Sequence, residues 1–162
     1  MNHWLFAFAD WLQNTPLALA VGGSDWAYPW VQLTHFTGLS LWLGTSVAVD
    51  FRLLTRRKNV PPISHLVDSL FVWNWIGFGI AILGGFLLFS IAASSFVSNA
   101  AFRAKLGIYF PLALLSHIVV QRKARAWGLA PEPPSVARLA GVIEMLLWLA
   151  VAAAAVSIPY SK

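Results

Sequence analysis

Between Asp68 and Arg103 the chain carries no acidic or basic side chain. That stretch is longer than the ~20 apolar residues of helix that cross a hydrocarbon core roughly 30 Å thick. In lipid its backbone N–H and C=O groups find partners only within a helix or a closed barrel. Its apolar residues run on without the period-two alternation of a barrel strand, so helix is the reading. The whole chain agrees: 59% of its residues are hydrophobic and 10% charged, against about 25% charged in an ordinary soluble domain. The expectation is an all-α integral membrane protein, a four-helix bundle with an N-terminal interfacial amphipathic helix, forming one domain over residues 1–162.

Four spans are expected, at about residues 29–54, 71–94, 101–121 and 136–158. Pro29 suits a first helical turn, and Asp50, Arg52, Arg56, Arg57 and Lys58 close the first span. Val60-Pro61-Pro62 breaks the helix, and Ser64 is a candidate cap for a short lead-in carrying His65 and Asp68. Pro111 lies inside the third span, where it removes a backbone bond and leaves the Gly107 carbonyl without its usual partner, so a kink is expected. Ala130-Pro131-Glu132-Pro133-Pro134 separates the third and fourth spans, with Ser135 as a possible cap.

Ahead of these, residues 3–19 read as a helix lying on the membrane, within an interfacial region 1–20. Trp4, Leu5, Phe8, Trp11 and Leu12 recur at helical spacing, with Asp10, Gln13 and Asn14 between them. Ala18-Leu19-Ala20 resembles a signal-peptide cleavage site, but no Lys or Arg precedes it and Asp10 interrupts the apolar run.

Cysteine is absent, which excludes disulfides, thiolate catalysis and iron–sulfur clusters. No phosphate-cradling loop, nucleophile elbow or His-Glu-x-x-His pair is present. The formal charge of +5 does not point to nucleic acid, because the basic residues sit at the ends of apolar segments. All but Arg103, Lys105 and Lys162 of the eleven Lys and Arg fall on one side of the bilayer, which places both termini on the non-cytoplasmic side.

Depth along each span decides which polar residues meet. His35 and Lys105 both lie near the outer ends of their spans, with Tyr109 one turn below Lys105 and Gly38, Trp42 and Thr45 continuing the face of His35. Nearer the cytoplasmic side, His117 and Glu144 fall at similar depth and form a candidate imidazole–carboxylate pair. Ionisable residues inside a span cost several kcal/mol unless paired or wetted, so each is a functional candidate. His35 is a candidate metal ligand or a helix-joining hydrogen bonder, and Lys105 a site residue or a side chain snorkelling to the headgroups. His35 and His117 differ in depth by roughly 15 Å, too far to flank one iron.

Asp50 with Arg52 reads as an ion pair at the membrane boundary. Most of the nine Trp read as interface anchors: Trp4, Trp11, Trp26 and Trp30 at the outer edge, and Trp73, Trp75 and Trp127 at the inner. Gly77, Ala81, Gly84 and Gly85 give the second span a small-residue face, suited to close packing of helices or to a flat macrocycle.

The run Tyr28-Pro29-Trp30-Val31-Gln32-Leu33-Thr34-His35-Phe36-Thr37-Gly38, continued by Val49-Asp50-Phe51-Arg52-Leu53-Leu54, resembles the first span of an uncharacterised family of small bacterial inner-membrane proteins. Asn99-Ala100-Ala101-Phe102-Arg103-Ala104-Lys105 resembles the start of that family's third span. More distantly, a His-x-x-Gly first span and a Lys-led third span are similar to the membrane cores of the CopD copper-resistance family and of HemJ-type protoporphyrinogen oxidases. That likeness implies haem b, and His35, Lys105 and His117 are the positions that match it in kind. The expectation built on it has His35 as ligand to the iron, Lys105 as second ligand or propionate partner, Tyr109 and Trp42 lining the pocket, and His117 with Glu144 exchanging protons.

The function expected on this reading is electron transfer, or oxidoreduction of a quinone or porphyrinogen, in the bacterial inner membrane. Its partners would be the lipid bilayer and a quinone or a redox protein at the outer face. Two alternatives stand beside it: a non-redox scaffold or accessory subunit, or homo-oligomer, whose polar residues only join helices, and a small transporter of CopD type. With Met1 and Met145 as the only methionines and no thiolate, the chain is poorly equipped to relay copper.

Overall fold

A computed structural model describes residues 3–55, 62–127 and 133–161. Arg56, Arg57, Lys58, Lys162, Val60-Pro61 and Ala130-Pro131-Glu132 lie outside the described residues. The described chain is helical, with no strand. Its elements are α1 (His3–Gln13), α2 (Pro16–Gly22), α3 (Ala27–Leu54), α4 (Ile63–Ile91), α5 (Ala93–Ser98), α6 (Ala100–Ala104), a π-turn (Lys105–Tyr109), α7 (Phe110–Trp127), α8 (Ser135–Ser157) and a closing 3-10 turn (Ile158–Tyr160).

Three helices among the described residues are long and apolar enough to cross a bilayer: Ile63–Ile91, Ala100–Trp127 and Ser135–Tyr160. They mark a multi-pass membrane protein. α3 is comparably long, at 28 residues, but is not among them. Gln32, Thr34, His35, Thr37, Ser40, Thr45, Ser46, Asp50 and Arg52 make it more polar than the others.

The helices differ from the expected spans mainly at their ends. The lead-in with His65 and Asp68 is continuous with α4, which begins at Ile63 after Pro62, so Ser64 lies inside the helix and does not cap it. Ser135 is likewise the first residue of α8, after Pro134. α4 stops at Ala92, whose φ of −142° and ψ of 43° leave the helical region. Asn99 caps the next segment, its Oδ1 accepting from the Phe102 N–H at 3.0 Å. Just before Pro111 the chain widens into the π-turn, with the Phe110 N–H reaching back to the Lys105 carbonyl. Pro111 brings no N–H to continue a regular ladder, and a π-turn is one way a helix absorbs that defect.

α3 and α4 pack with their backbones in contact. A Cβ built on Gly38 would lie 2.5 Å from the Ala81 nitrogen, and one on Gly77 would lie 2.6 Å from the Trp42 nitrogen. Between membrane helices, close packing of this kind replaces the hydrophobic drive that water would supply. The small-residue face of α4 is therefore taken up by α3: Gly84 and Gly85 meet His35 as Gly77 meets Gly38.

At the end where α3 and α7 finish and α4 and α8 begin, Val49, Leu53, Ile63, Val67, Val120, Ala124 and Ala137 form one buried cluster. Trp42, Ala81, Ala113 and Trp148 form a second, deeper one.

The N-terminal segment is two helices, not one. Thr15 caps α2 by accepting from the Ala18 N–H at 3.3 Å. Ala9 and Leu12 of α1 pack against Ala93 and Val97 of α5, while Trp4, Phe8 and Trp11 are exposed. The polar stripe of α1 is used as well: Asp10 accepts from the Ser94 hydroxyl at 2.9 Å and Gln13 accepts from the Ser94 N–H at 3.2 Å.

Candidate functional site

Helical register turns His117, Asn74, Glu144 and the pair Thr45 and Ser46 toward one another from four different helices, and all are buried. Their hydrogen bonds can be assigned by following the protons. Thr45 and Ser46 each donate to the Trp42 carbonyl, at 2.9 and 2.8 Å, so both hydroxyls are left as acceptors for the Asn74 amide, at 2.9 and 3.0 Å. The Asn74 Oδ1 therefore faces His117 Nε2, which donates to it at 2.9 Å. The other ring nitrogen, Nδ1, stands 2.6 Å from Glu144 Oε1. Trp148 Nε1 donates to the same oxygen at 3.4 Å.

The proton of the Nδ1–Oε1 contact can sit on either partner. With the carboxyl protonated, Glu144 donates to a neutral imidazole; with the ring protonated, Nδ1 donates to a carboxylate. The heavy atoms need not move between the two. The rings of Trp42, Trp75 and Trp148 surround His117 at centroid distances of 5.9, 5.8 and 6.5 Å and shut out solvent.

Comparison with known proteins finds no matching family model, no similar curated protein and no similar solved structure. A functional reading of this chain therefore stands on its own residues.

Asp50 adds to the site what the sequence concealed. It is 1% exposed, and neither carboxyl oxygen has a hydrogen-bond partner among the described residues. It does not pair with Arg52, which instead donates to the Thr55 carbonyl at 3.3 Å. Asp50 lies against Gly141, one turn before Glu144 in α8, close enough for the two carboxyls to act on each other electrostatically. Glu144 Oε2 and Gln121 Oε1 are also buried without a hydrogen-bond partner among the described residues.

The outer layer is assembled differently from expectation. His35 is half-buried in the α3–α4 seam, with Nδ1 2.7 Å from the Ala81 carbonyl. A carbonyl only accepts, so Nδ1 carries the hydrogen, and in the neutral ring Nε2 keeps the lone pair, a tautomer open to metal ligation. Lys105 is close enough for its charge to act on His35. Trp42 and Tyr109 do not join them. Trp42 packs in the deeper layer against Phe78 and Trp148, at ring distances of 4.6 and 4.4 Å. Tyr109 is exposed, without a ring contact or hydrogen bond among the described residues.

For haem b the residues present thus fit one axial ligand, His35, and one cation, Lys105, but not the expected pocket walls. Among the described residues no group of three or more His, Cys, Asp or Glu is arranged around a metal ion. Asn74 escaped the sequence reading because it sits between Trp73 and Trp75, residues read as interface anchors. Trp73 is exposed, but Trp75 turns in toward His117. An amide in the charge-free stretch was the available signal, since such a group needs a partner in lipid.

Proposed function

We propose that this is an inner-membrane protein in which α3 forms a fourth span beside the three apolar helices, and that its working part is a proton-exchange site made by His117 and Glu144, serving oxidoreduction within the bilayer. The basic residues Arg52, Arg122, Lys123, Arg125 and Arg138 gather at the end of the bundle where α3 and α7 finish and α4 and α8 begin. By the positive-inside bias that end faces the cytoplasm, with both termini opposite. Exposed Trp4, Phe8 and Trp11 on α1 then lie at the outer headgroups.

The observation that carries the reading is the 2.6 Å contact between His117 Nδ1 and Glu144 Oε1, fully buried and with Nε2 already committed to Asn74. A pair that holds its proton on either partner without rearrangement is suited to accept and release protons as a nearby reaction demands. Infrared pH-difference spectra of the lipid-embedded protein test it. A carboxyl C=O band that changes together with imidazole modes, and disappears in Glu144→Gln, is expected. An unchanging carboxyl region over the pH range in which the protein stays folded marks the pair as a fixed structural bond.

A second reading concerns the redox partner of these protons and rests on His35. Its Nδ1–H is held by Ala81 O and its Nε2 keeps the lone pair, so His35 would hold haem b, with Lys105 neutralising a propionate. Haem would supply one-electron chemistry at the outer side. Protein purified after expression with ample haem is expected to show a Soret band that is lost in His35→Ala. A spectrum without that band, or one indifferent to the substitution, removes the haem and leaves the proton site standing.

A further inference from the structure

Oxygen atoms without donors gather one turn on the basic side of His117. Asp50 Oδ1 and Oδ2, Glu144 Oε2 and Gln121 Oε1 are buried and have no hydrogen-bond partner among the described residues. α7 and α8 run antiparallel, and His117 is level with Glu144. One turn further along α7 is Gln121, and one turn back along α8 is Gly141, against which Asp50 rests. Asp50 and Gln121 therefore share one layer, contributed by α3 and α7, and Glu144 lies one turn along α8 from Gly141 in that layer. Gln121 is 5% exposed, lies on the buried face of α7, and its Oε1 is buried.

We propose that Asp50, Glu144 and Gln121 are the oxygen ligands of a small monovalent cation, hydronium or sodium, bound beside Gly141. Orphan acceptors in a buried layer have a large unmet demand for positive charge or donors. Four protein oxygens are too few for calcium, which takes six to eight, and magnesium demands a near-ideal octahedron. Gly141 provides the room: a Cβ there would stand 3.6 Å from Asp50 Oδ1 and 3.5 Å from its backbone oxygen, in ordinary contact, so one small ligand atom fits where the side chain is missing.

Among the described residues, the charged or titratable groups nearest along these helices are Arg52 on α3, His117, Arg122 and Lys123 on α7, and Arg138, one turn before Gly141 on α8. The buried residues of α4 carry none. Arg138 donates to the Pro133 carbonyl at 3.4 Å, and its Nε is buried without a hydrogen-bond partner among the described residues.

This inference rests on the proton-exchange reading, because Glu144 serves both. The test is labelling of the full-length protein with dicyclohexylcarbodiimide, an apolar reagent that reaches carboxylic acids from lipid, located by peptide mass spectrometry. Labelling at Asp50 that sodium chloride slows several-fold relative to choline chloride identifies sodium. Labelling blind to sodium but falling as pH rises is also the behaviour of an ordinary protonated carboxyl, and it identifies hydronium only where the Gly141→Ala profile is displaced. In either case Gly141→Ala, whose methyl fits without a clash, is expected to abolish the sodium protection or to displace the pH profile. Asp50→Asn provides a second variant, in which labelling of Glu144 is expected to lose the same dependence.

No labelling at Asp50, labelling indifferent to both sodium and pH, or profiles unchanged in Gly141→Ala and Asp50→Asn overturns the cation site. If the infrared carboxyl change at Glu144 survives that outcome, proton exchange stands alone; if it is absent, both readings fall.

Discussion

His117 Nδ1 and Glu144 Oε1 stand 2.6 Å apart, the side chains 0% and 1% exposed. Removing one partner of such a pair leaves a polar group buried alone. Glu144→Ala is expected to cost about 3–5 kcal/mol. Glu144→Gln, whose amide can still donate to Nδ1, is expected to cost much less while removing the exchangeable carboxyl proton. Thermal unfolding in detergent checks the order, and equal losses for the two variants would count against a specific hydrogen bond.

Asp50 should behave in the opposite way. Its carboxyl is buried without a hydrogen bond, so replacement by a neutral or apolar side chain relieves a standing penalty. Asp50→Leu is expected to leave stability unchanged or raise it by about 1–4 kcal/mol in sodium-free buffer. A large destabilisation on unfolding the variant would show that Asp50 has a structural partner.

The α3–α4 seam makes a steric prediction with an internal control. A methyl on Gly38 would press on the Ala81 nitrogen at 2.5 Å and the Gly77 oxygen at 2.9 Å, both backbone atoms that cannot step aside. Gly38→Ala is expected to destabilise by about 1–3 kcal/mol or more and to impair assembly. On the same helix, a Cβ at Gly44 meets nothing within 4 Å. Gly44→Ala is expected to be stabilising by roughly 0.5–1 kcal/mol through helix propensity. Matching effects at the two positions, read by unfolding and gel filtration, would mean the seam is not tightly packed.

The helices were legible because the bilayer demands long apolar runs, and the run between Asp68 and Arg103 leaves little choice. Counting rise along antiparallel helices also brought His117 level with Glu144. Asp50 was misjudged through its neighbour: residues two apart on a helix do not face one another, so Arg52 was never positioned to pair with it. Trp42 does share a face with His35, but it lies two turns deeper and packs with Trp148 and His117. Tyr109 was expected one regular turn below Lys105. The π-turn over those five residues rotates the face, and Tyr109 is exposed. Such register shifts come from the local conflict at Pro111 and are not visible in hydrophobic periodicity.

The most direct test of the central claim is nitrogen-15 NMR of the four histidines in lipid, with His117 assigned by its loss in His117→Gln. The arrangement predicts that Nε2 of His117 carries a hydrogen, while Nδ1, sharing a proton with Glu144, has a shift between the protonated and unprotonated values that becomes fully unprotonated in Glu144→Gln. An Nδ1 shift that is the same in both proteins would contradict a proton shared at this site.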